Sequence, residues 1–194
     1  MPSDLRNLLE EYRAGARSER EKGTYFERLA VAFIKHDSGM AQEYEDAWLY
    51  SDWAEAAGVA RNDDGIDVVA RTHDGGLCAI QCKFYRTGHR IQKADIDSFF
   101  TASGRKHFSR RLIIDTTDAP WSENAEAALS DQDKPISRIG IDRLDESPID
   151  WSAFLLRDEI HLDAPKQLRP HQIDALADVR TGLADADRGK LVMA

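Results

Sequence analysis

The segment LCAIQCKF holds the chemistry-bearing pattern of this chain. Read as a strand, it alternates Cys78, Ile80, Cys82 and Phe84 on one face with Ala79, Gln81 and Lys83 on the other. The apolar set is expected to pack inward, so Gln81 and Lys83 project side by side from a rigid element. Asp67 lies on the adjoining apparent strand, and Glu27 is available from a preceding helix. Two carboxylates and an amide oxygen are hard oxygen donors, and together they suit a hard cation. The ammonium of Lys83 beside them suits an anionic substrate.

Each of these residues also has a plainer reading. Thr24-x-x-Glu27 fits a capping box in which Glu27 only bonds the Thr24 amide. Asp67 alone suits a strand end and Lys83 alone a surface cation. Asp63 and Asp64 read as turn residues. The six histidines show no paired ligand spacing. Cys78 and Cys82, four strand residues and so roughly 13 Å apart, cannot bond to each other and read as small core residues.

The elements that must position these groups follow from periodicity. Ser3 to about Arg20 carries Leu5, Leu8, Leu9 and Tyr12 at helical spacing, and a second helix is expected from Thr24 to about Lys35 on the stripe of Phe26, Leu29, Ala30, Phe33 and Ile34. Residues 43–60 show no single period, and Trp48 and Trp53 are expected to close one side of the core. GIDVVAR and LCAIQCKFY, joined by HDGG, read as an antiparallel hairpin. A helix over Ile91 to His107, a short strand RLIID, a helix capped by Ser122 and a strand ISRIGI complete the order α, α, β, β, α, β, α, β. That order implies a mixed-sheet α/β fold. The hairpin register is decisive for the site. A two-residue Asp74-Gly75 turn pairs Asp67 with Cys82 and puts the aspartate on the core face. A three-residue Asp74-Gly75-Gly76 loop with a bulge pairs it with Lys83 and gathers Asp67, Gln81 and Lys83 on one face.

The chain has 194 residues, 42% hydrophobic and 31% charged, with net charge −9, which suits one packed domain and a short appendage. No apolar run nears the roughly 20 residues of a membrane helix, so a soluble, cytoplasmic protein is expected. The negative charge opposes nonspecific nucleic-acid binding, but residues 81–111 hold eight Lys/Arg against two Asp, leaving −15 for the remainder. That segment reads either as a polyanion-facing edge or as a solvated face paired with acidic neighbours.

At Asp67 and at Gln81-x-Lys83 the sequence resembles the PD-(D/E)XK nuclease superfamily, in its Mrr-like branch, and Glu27 within GTYFE resembles that branch's first-helix acidic position. DDGIDVVA, AIQCKFY, LIIDTT and SPIDW are similar to the N-terminal nuclease domain of type ISP restriction-modification enzymes, over roughly residues 18–155. The resemblance implies a restriction-endonuclease-like mixed central sheet flanked by helices. It also implies a site in which Asp67 is the main ligand of Mg2+ or Mn2+, completed by the Gln81 side-chain oxygen and the Cys82 carbonyl, with fewer charges than a Glu would give. Lys83 would orient or help deprotonate the attacking water and offset transition-state charge, and Glu27 would hold a water or a second ion. Arg86, Arg90, Lys93, Arg105 and Lys106 would contact DNA.

Beyond residue 157, LRPHQ resembles the opening of superfamily-two helicases and translocases, where a glutamine reads adenine, here Gln172. The phosphate-binding loop that follows in that family is missing, since Gly189-Lys190 lacks its leading glycine and its Ser/Thr. The tetrad Asp158-Glu159-Ile160-His161 precedes the glutamine motif and reads as chance. The expected organisation is an N-terminal helix over 1–22, a nuclease domain over 23–156, and over 157–194 a linker with the truncated start of an ATPase. The expected function is metal-dependent cleavage or nicking of duplex DNA delivered by an ATP-driven translocase. ATP would act only through that motor, which would share its polypeptide with a methyltransferase. Rival readings are a repair or junction nuclease of the same fold, a catalytically silent docking module, and, least favoured, an ATPase.

Overall fold

The computed structural model describes residues 3–60, 65–130, 132–157 and 169–184, and the chain divides into two compact units, Met1–Asp163 and Ala164–Ala194. In the first unit, helix α1 (Asp4–Gly15) starts where the Ser3 hydroxyl accepts from the Arg6 amide at 3.3 Å, and it buries Leu5, Leu8 and Leu9. Helix α2 spans Glu19–His36, five residues earlier than the apolar stripe alone indicated. The Ser/Thr-x-x-Glu cap signal occurs twice here, and the first copy is used: Ser18 accepts from the Glu21 amide at 3.2 Å, with Glu19 and Glu21 on the positive end of the helix dipole. Thr24 instead sits inside the helix, its hydroxyl donating to the Arg20 carbonyl at 3.2 Å. The boundary expected between residues 22 and 23 thus falls within α2.

Residues 43–60, which lack one period, hold two elements of different period. After α3 (Met40–Glu43), strand β1 (Tyr44–Leu49) is followed at once by helix α4 (Tyr50–Ala57). Strands β2 (Val68–Thr72), β3 (Leu77–Lys83), β4 (Phe108–Asp115) and β5 (Ile136–Ile139) complete a sheet of order β1-β2-β3-β4-β5. The β1–β2 and β2–β3 pairs are antiparallel, and β3–β4 and β4–β5 are parallel. The helix expected over 91–107 is shorter: a 3₁₀ turn at Lys93–Asp95 leads into α5 (Asp97–Ser103). Ser122 caps α6 (Glu123–Ala128) as expected, accepting from Ala125 at 3.2 Å. Helices α7 (Ile141–Asp145) and α8 (Trp151–Arg157) close the unit. The expected α/β architecture, a mixed sheet flanked by helices, is what the chain forms.

Both faces of the sheet are covered. Val68, Ala70, Cys78, Ile80, Leu112 and Ile114 pack with Leu5, Phe26 and Phe33, while Val69, Ala79 and Ile113 pack with Ala54, Phe99 and Ala125. The expectation that Gln81 and Lys83 project from an uncovered face is therefore corrected. Gln81 is only 2% exposed, and Lys83 is half-buried. A strand entering a parallel pair is buried on both sides, so alternation says which face a residue takes and not whether water reaches it.

The hairpin loop has three residues, as the one-face arrangement requires, but it is His73-Asp74-Gly75. The Gly75 amide donates to the Thr72 carbonyl at 2.9 Å and the Thr72 amide to the Gly76 carbonyl at 2.9 Å, with Gly75 at φ 86°, a conformation that favours glycine. Val68 therefore pairs with Ile80 and Ala70 with Cys78. Continued by one residue, this register sets Asp67 level with Gln81 rather than Lys83. The parity is unchanged, so Asp67, Gln81 and Lys83 still share a face.

In the second unit, α9 spans Pro170–Ala184.

Candidate active site

Asp67 stands one residue before β2, where that strand stops pairing regularly with β3. Its amide donates to the Ile80 carbonyl at 2.9 Å and its carbonyl accepts from the Tyr50 amide at 2.8 Å, which fixes the backbone from both sides. Its Oδ2 accepts from the Cys82 amide at 2.6 Å. That nitrogen lies in the peptide between Gln81 and Cys82, about 2.4 Å from the Gln81 Cα. The carboxylate is thus wedged against the Gln-x-Lys stretch of β3.

Gln81 is oriented from the same side. Its Nε2 donates to the Gly65 carbonyl at 3.1 Å, and its Oε1 is buried with no hydrogen-bond partner among the described residues. A buried acceptor left unpaired costs about 1–3 kcal/mol, so such atoms are rare and mark places where a ligand completes the bonding. Gly65 is required where it stands: at φ 98°, an added Cβ would meet the Ser98 hydroxyl at 2.8 Å and the Phe99 amide nitrogen at 3.2 Å. Lys83 ends β3 in register with Asp115 of β4, and its carbonyl accepts from the Thr116 amide at 3.1 Å.

Glu27 lies inside α2, so the capping-box alternative for it is withdrawn. It lines a cleft of about 210 Å³ together with Arg20, Thr24, Tyr50, Ser51 and Asp67. The half-buried Cys82 registers this cluster electrostatically. Burial raises its thiol pKa well above the usual value, the Asp67 and Glu27 carboxylates raise it further, and Lys83 opposes them. Asp67, Glu27 and Lys83 therefore converge on one strand end. Among the described residues no three His, Cys, Asp or Glu side chains form a metal-holding group. Drawn from the described residues alone, a cation site here would use amide and carbonyl oxygens too.

The division of labour along α2 can be separated experimentally. Ser18→Ala is expected to cost about 1 kcal/mol of stability and to spare activity, because it removes only a helix cap. Glu27→Gln should leave the melting temperature nearly unchanged and, on the nuclease expectation, slow DNA cleavage. Thermal melts and cleavage rates on the same preparations check both.

Sequence reasoning gave Asp115 no role. It is fully buried, with Oδ1 accepting from the Thr117 amide at 3.1 Å and Oδ2 from Arg138 Nε at 3.2 Å. Arg138 also pairs with Glu126 at 3.0 Å and lies 4.3 Å from the centre of the Trp121 ring. The sequence offered only an acid closing the apolar run LII; its place beside Gln-x-Lys comes from the parallel β3–β4 pairing. Burial raises its pKa above the usual aspartate value, against the pull of Arg138. An acid with a raised folded pKa binds more protons folded than unfolded, so its contribution to stability is lost as pH rises through the folded pKa. The stability difference between parent and Asp115→Asn should therefore shift against the parent as pH climbs from about 4, which denaturant melts across pH would measure.

The basic segment does not form one edge. Arg86 and Arg90 are exposed beyond β3, and Lys93 is ion-paired with Asp97 at 2.5 Å. Arg105 and Lys106 are exposed in the α5–β4 connection, at the opposite end of β4 from Asp115, with Arg105 Nη1 3.5 Å from the Tyr50 hydroxyl. Arg110 pairs with Glu43 at 2.9 Å, and the buried Arg111 donates to Ser103 and Gln132. In the second unit, Gln172 accepts from the Arg169 amide at 2.9 Å through its side-chain oxygen, at the start of α9. Asp63, Asp64, residues 158–161 and Gly189-Lys190 lie outside the described residues, as does the side chain of His171.

A family model for a restriction endonuclease matches residues 35–161. Among solved structures, the ATP-dependent type ISP restriction-modification enzyme LlaBIII bound to DNA is 32% identical, with a TM-score of 0.74 over 96% of this chain and 12% of its own. The MspJI restriction endonuclease in complex with a 27-mer oligonucleotide is 15% identical, with a TM-score of 0.50 over 88% of this chain and 39% of its own, a likeness of fold. The chain thus spans well under half of either protein. No curated protein matches.

Proposed function

Since the chain belongs to the restriction endonuclease family, we propose that it is a metal-dependent DNA endonuclease whose site is Asp67, Gln81 and Lys83, with Glu27 beside them. One observation carries the reading: the buried, unpartnered Gln81 Oε1 stands beside a carboxylate already held against the same stretch of strand. Asp67, Gln81 Oε1 and the Cys82 carbonyl would hold Mg2+ or Mn2+, which keeps several waters and needs few protein oxygens. The fit is good because one carboxylate and two neutral oxygens suit a cation that retains its waters. A cation held there would polarise the phosphate and lower the pKa of an attacking water. Lys83 reaches the same phosphate, orients the water and offsets charge that builds on phosphate oxygens, and Glu27 accepts a proton from water in the cleft.

In this reading the unit works in the cytoplasm, in restriction of invading DNA, within a longer restriction-modification polypeptide that carries a helicase-like ATPase and a methyltransferase. The nuclease domain, expected over 23–156, takes in all of α2 from Glu19, with α1 before it, and 157–194 leads into the motor, where Gln172 would read adenine. The acidic net charge and a metal site with one fewer charged ligand make isolated residues 1–194 a weak DNA binder and a slow nuclease. A tethered motor raises the local DNA concentration without altering the chemistry. Supercoiled plasmid incubated with this chain in Mg2+ and in chelator tests the proposal: slow cleavage in Mg2+ alone is expected. Cleavage in chelator would refute metal dependence, and fast cleavage of linear DNA at near-physiological salt would favour a free-standing repair nuclease.

A further inference from the structure

We infer that α2 carries a phosphate-contacting track, Arg20, Arg28 and Lys35, that seats a DNA strand alongside the catalytic cleft. At 100° per residue, positions 20, 27, 28 and 35 fall within about a 100° sector of the helix, so the three cations share a stripe with Glu27. Two adjoining clefts open along that stripe. The first holds Arg20 and Glu27 with Asp67. The second, of about 440 Å³, lies between α2 and β1 and is lined by Arg28, Lys35, His36, Trp48 and Asp52. Leu49 lines both, so the two lie side by side.

The three cations are exposed, and neither Arg20 nor Arg28 has an ion-pair partner among the described residues. Lys35 meets Asp46 at 2.8 Å, but with these side chains 39% and 31% exposed the pair is weakly held, and a phosphate can replace the carboxylate. Arg20 and Lys35 are fifteen residues apart on the helix, about 22 Å, a span long enough for the three cations to meet separate phosphates. Of the cations of residues 81–111, Lys93, Arg110 and Arg111 are engaged within the protein. A nucleic-acid strand is the occupant that the charge of the stripe and its position beside the cleft favour.

This assignment rests on the nuclease reading, and its test separates the two. Binding of a fluorescent 30-base-pair duplex by the whole chain is measured in metal-free buffer at stepped KCl, for the parent and for Arg20→Gln/Arg28→Gln/Lys35→Gln. Glutamine preserves helix propensity, and circular-dichroism melts check folding. Loss of three phosphate contacts should reduce the slope of log affinity against log salt by about 2.7 and weaken binding at 0.1 M salt by roughly 10²- to 10³-fold. If the triple variant unfolds early, the single variants should each reduce the slope by about 0.9. A parent-like slope in folded variants overturns the track, and the stripe then belongs to a protein contact. Asp67→Asn, assayed in parallel, should keep the full slope. If it loses plasmid cleavage while the triple variant keeps its slope, the track fails and the nuclease reading stands. If the slope falls but the parent never cleaves, the nuclease reading fails and a DNA-binding track stands.

Discussion

Asp67→Ala is expected to lower Mg2+-dependent cleavage by roughly 10³-fold, the equivalent of about 4 kcal/mol of transition-state stabilisation. It deletes the charged oxygen donor of the proposed site, and none of the remaining ligands carries a full charge except Glu27, on a different element. Alanine has a second effect, because the Cys82 amide now bonded to Oδ2 at 2.6 Å loses its acceptor. Leaving it unpaired costs about 1–3 kcal/mol of stability. Asp67→Asn separates the two losses, since its amide oxygen still accepts from Cys82 while the charge is gone. Both variants should cleave poorly, and only the alanine variant should melt early. Single-turnover cleavage of plasmid together with thermal denaturation reads both.

Lys83→Ala is expected to slow cleavage by roughly 10²-fold or more, the usual range for loss of one positioned acid–base or electrostatic group. Lys83 is half-buried rather than surface-facing, so its aliphatic stem contributes packing and a stability loss of about 1 kcal/mol should accompany the change. Lys83→Arg tells the two roles apart. Arginine keeps the charge and cannot give up its proton, so partial activity would assign Lys83 to charge stabilisation, whereas loss equal to that of alanine would assign it to proton transfer. Cleavage by Lys83→Ala at the parent's rate would favour a catalytically silent DNA-docking module instead.

Much of this site was legible before the fold. Strand parity alone put Gln81 and Lys83 on one face, and the need for a three-residue loop to bring Asp67 there was stated from geometry. The loop has that length but starts one residue earlier, because the Asp74 carboxylate accepts from the Gly76 amide and the Thr72 hydroxyl and Gly75 takes the left-handed position. Local hydrogen bonding of that kind is not visible in a hydrophobic pattern. The same limit applies to α2, where two equivalent cap signals stand six residues apart and only tertiary packing of the helix decides between them. Strand β1 and helix α4 escaped notice because a short strand, its alternation broken by a register shift between Tyr44 and Asp46, gives way directly to a helix within fifteen residues. Asp115 was missed for another reason. Its register with Lys83 arises from a parallel pairing of strands 25 residues apart, which no local window contains.

The same orphaned Gln81 oxygen and wedged Asp67 carboxylate make metal binding itself the sharpest test, free of questions of DNA delivery. Mn2+ titrated into the folded chain and followed by electron paramagnetic resonance should show a bound fraction in the parent that is strongly reduced in Asp67→Asn and weakened in Gln81→Leu, which keeps the side-chain bulk without an oxygen. Equal Mn2+ binding by the parent and Asp67→Asn would contradict the placement of the catalytic cation at this site.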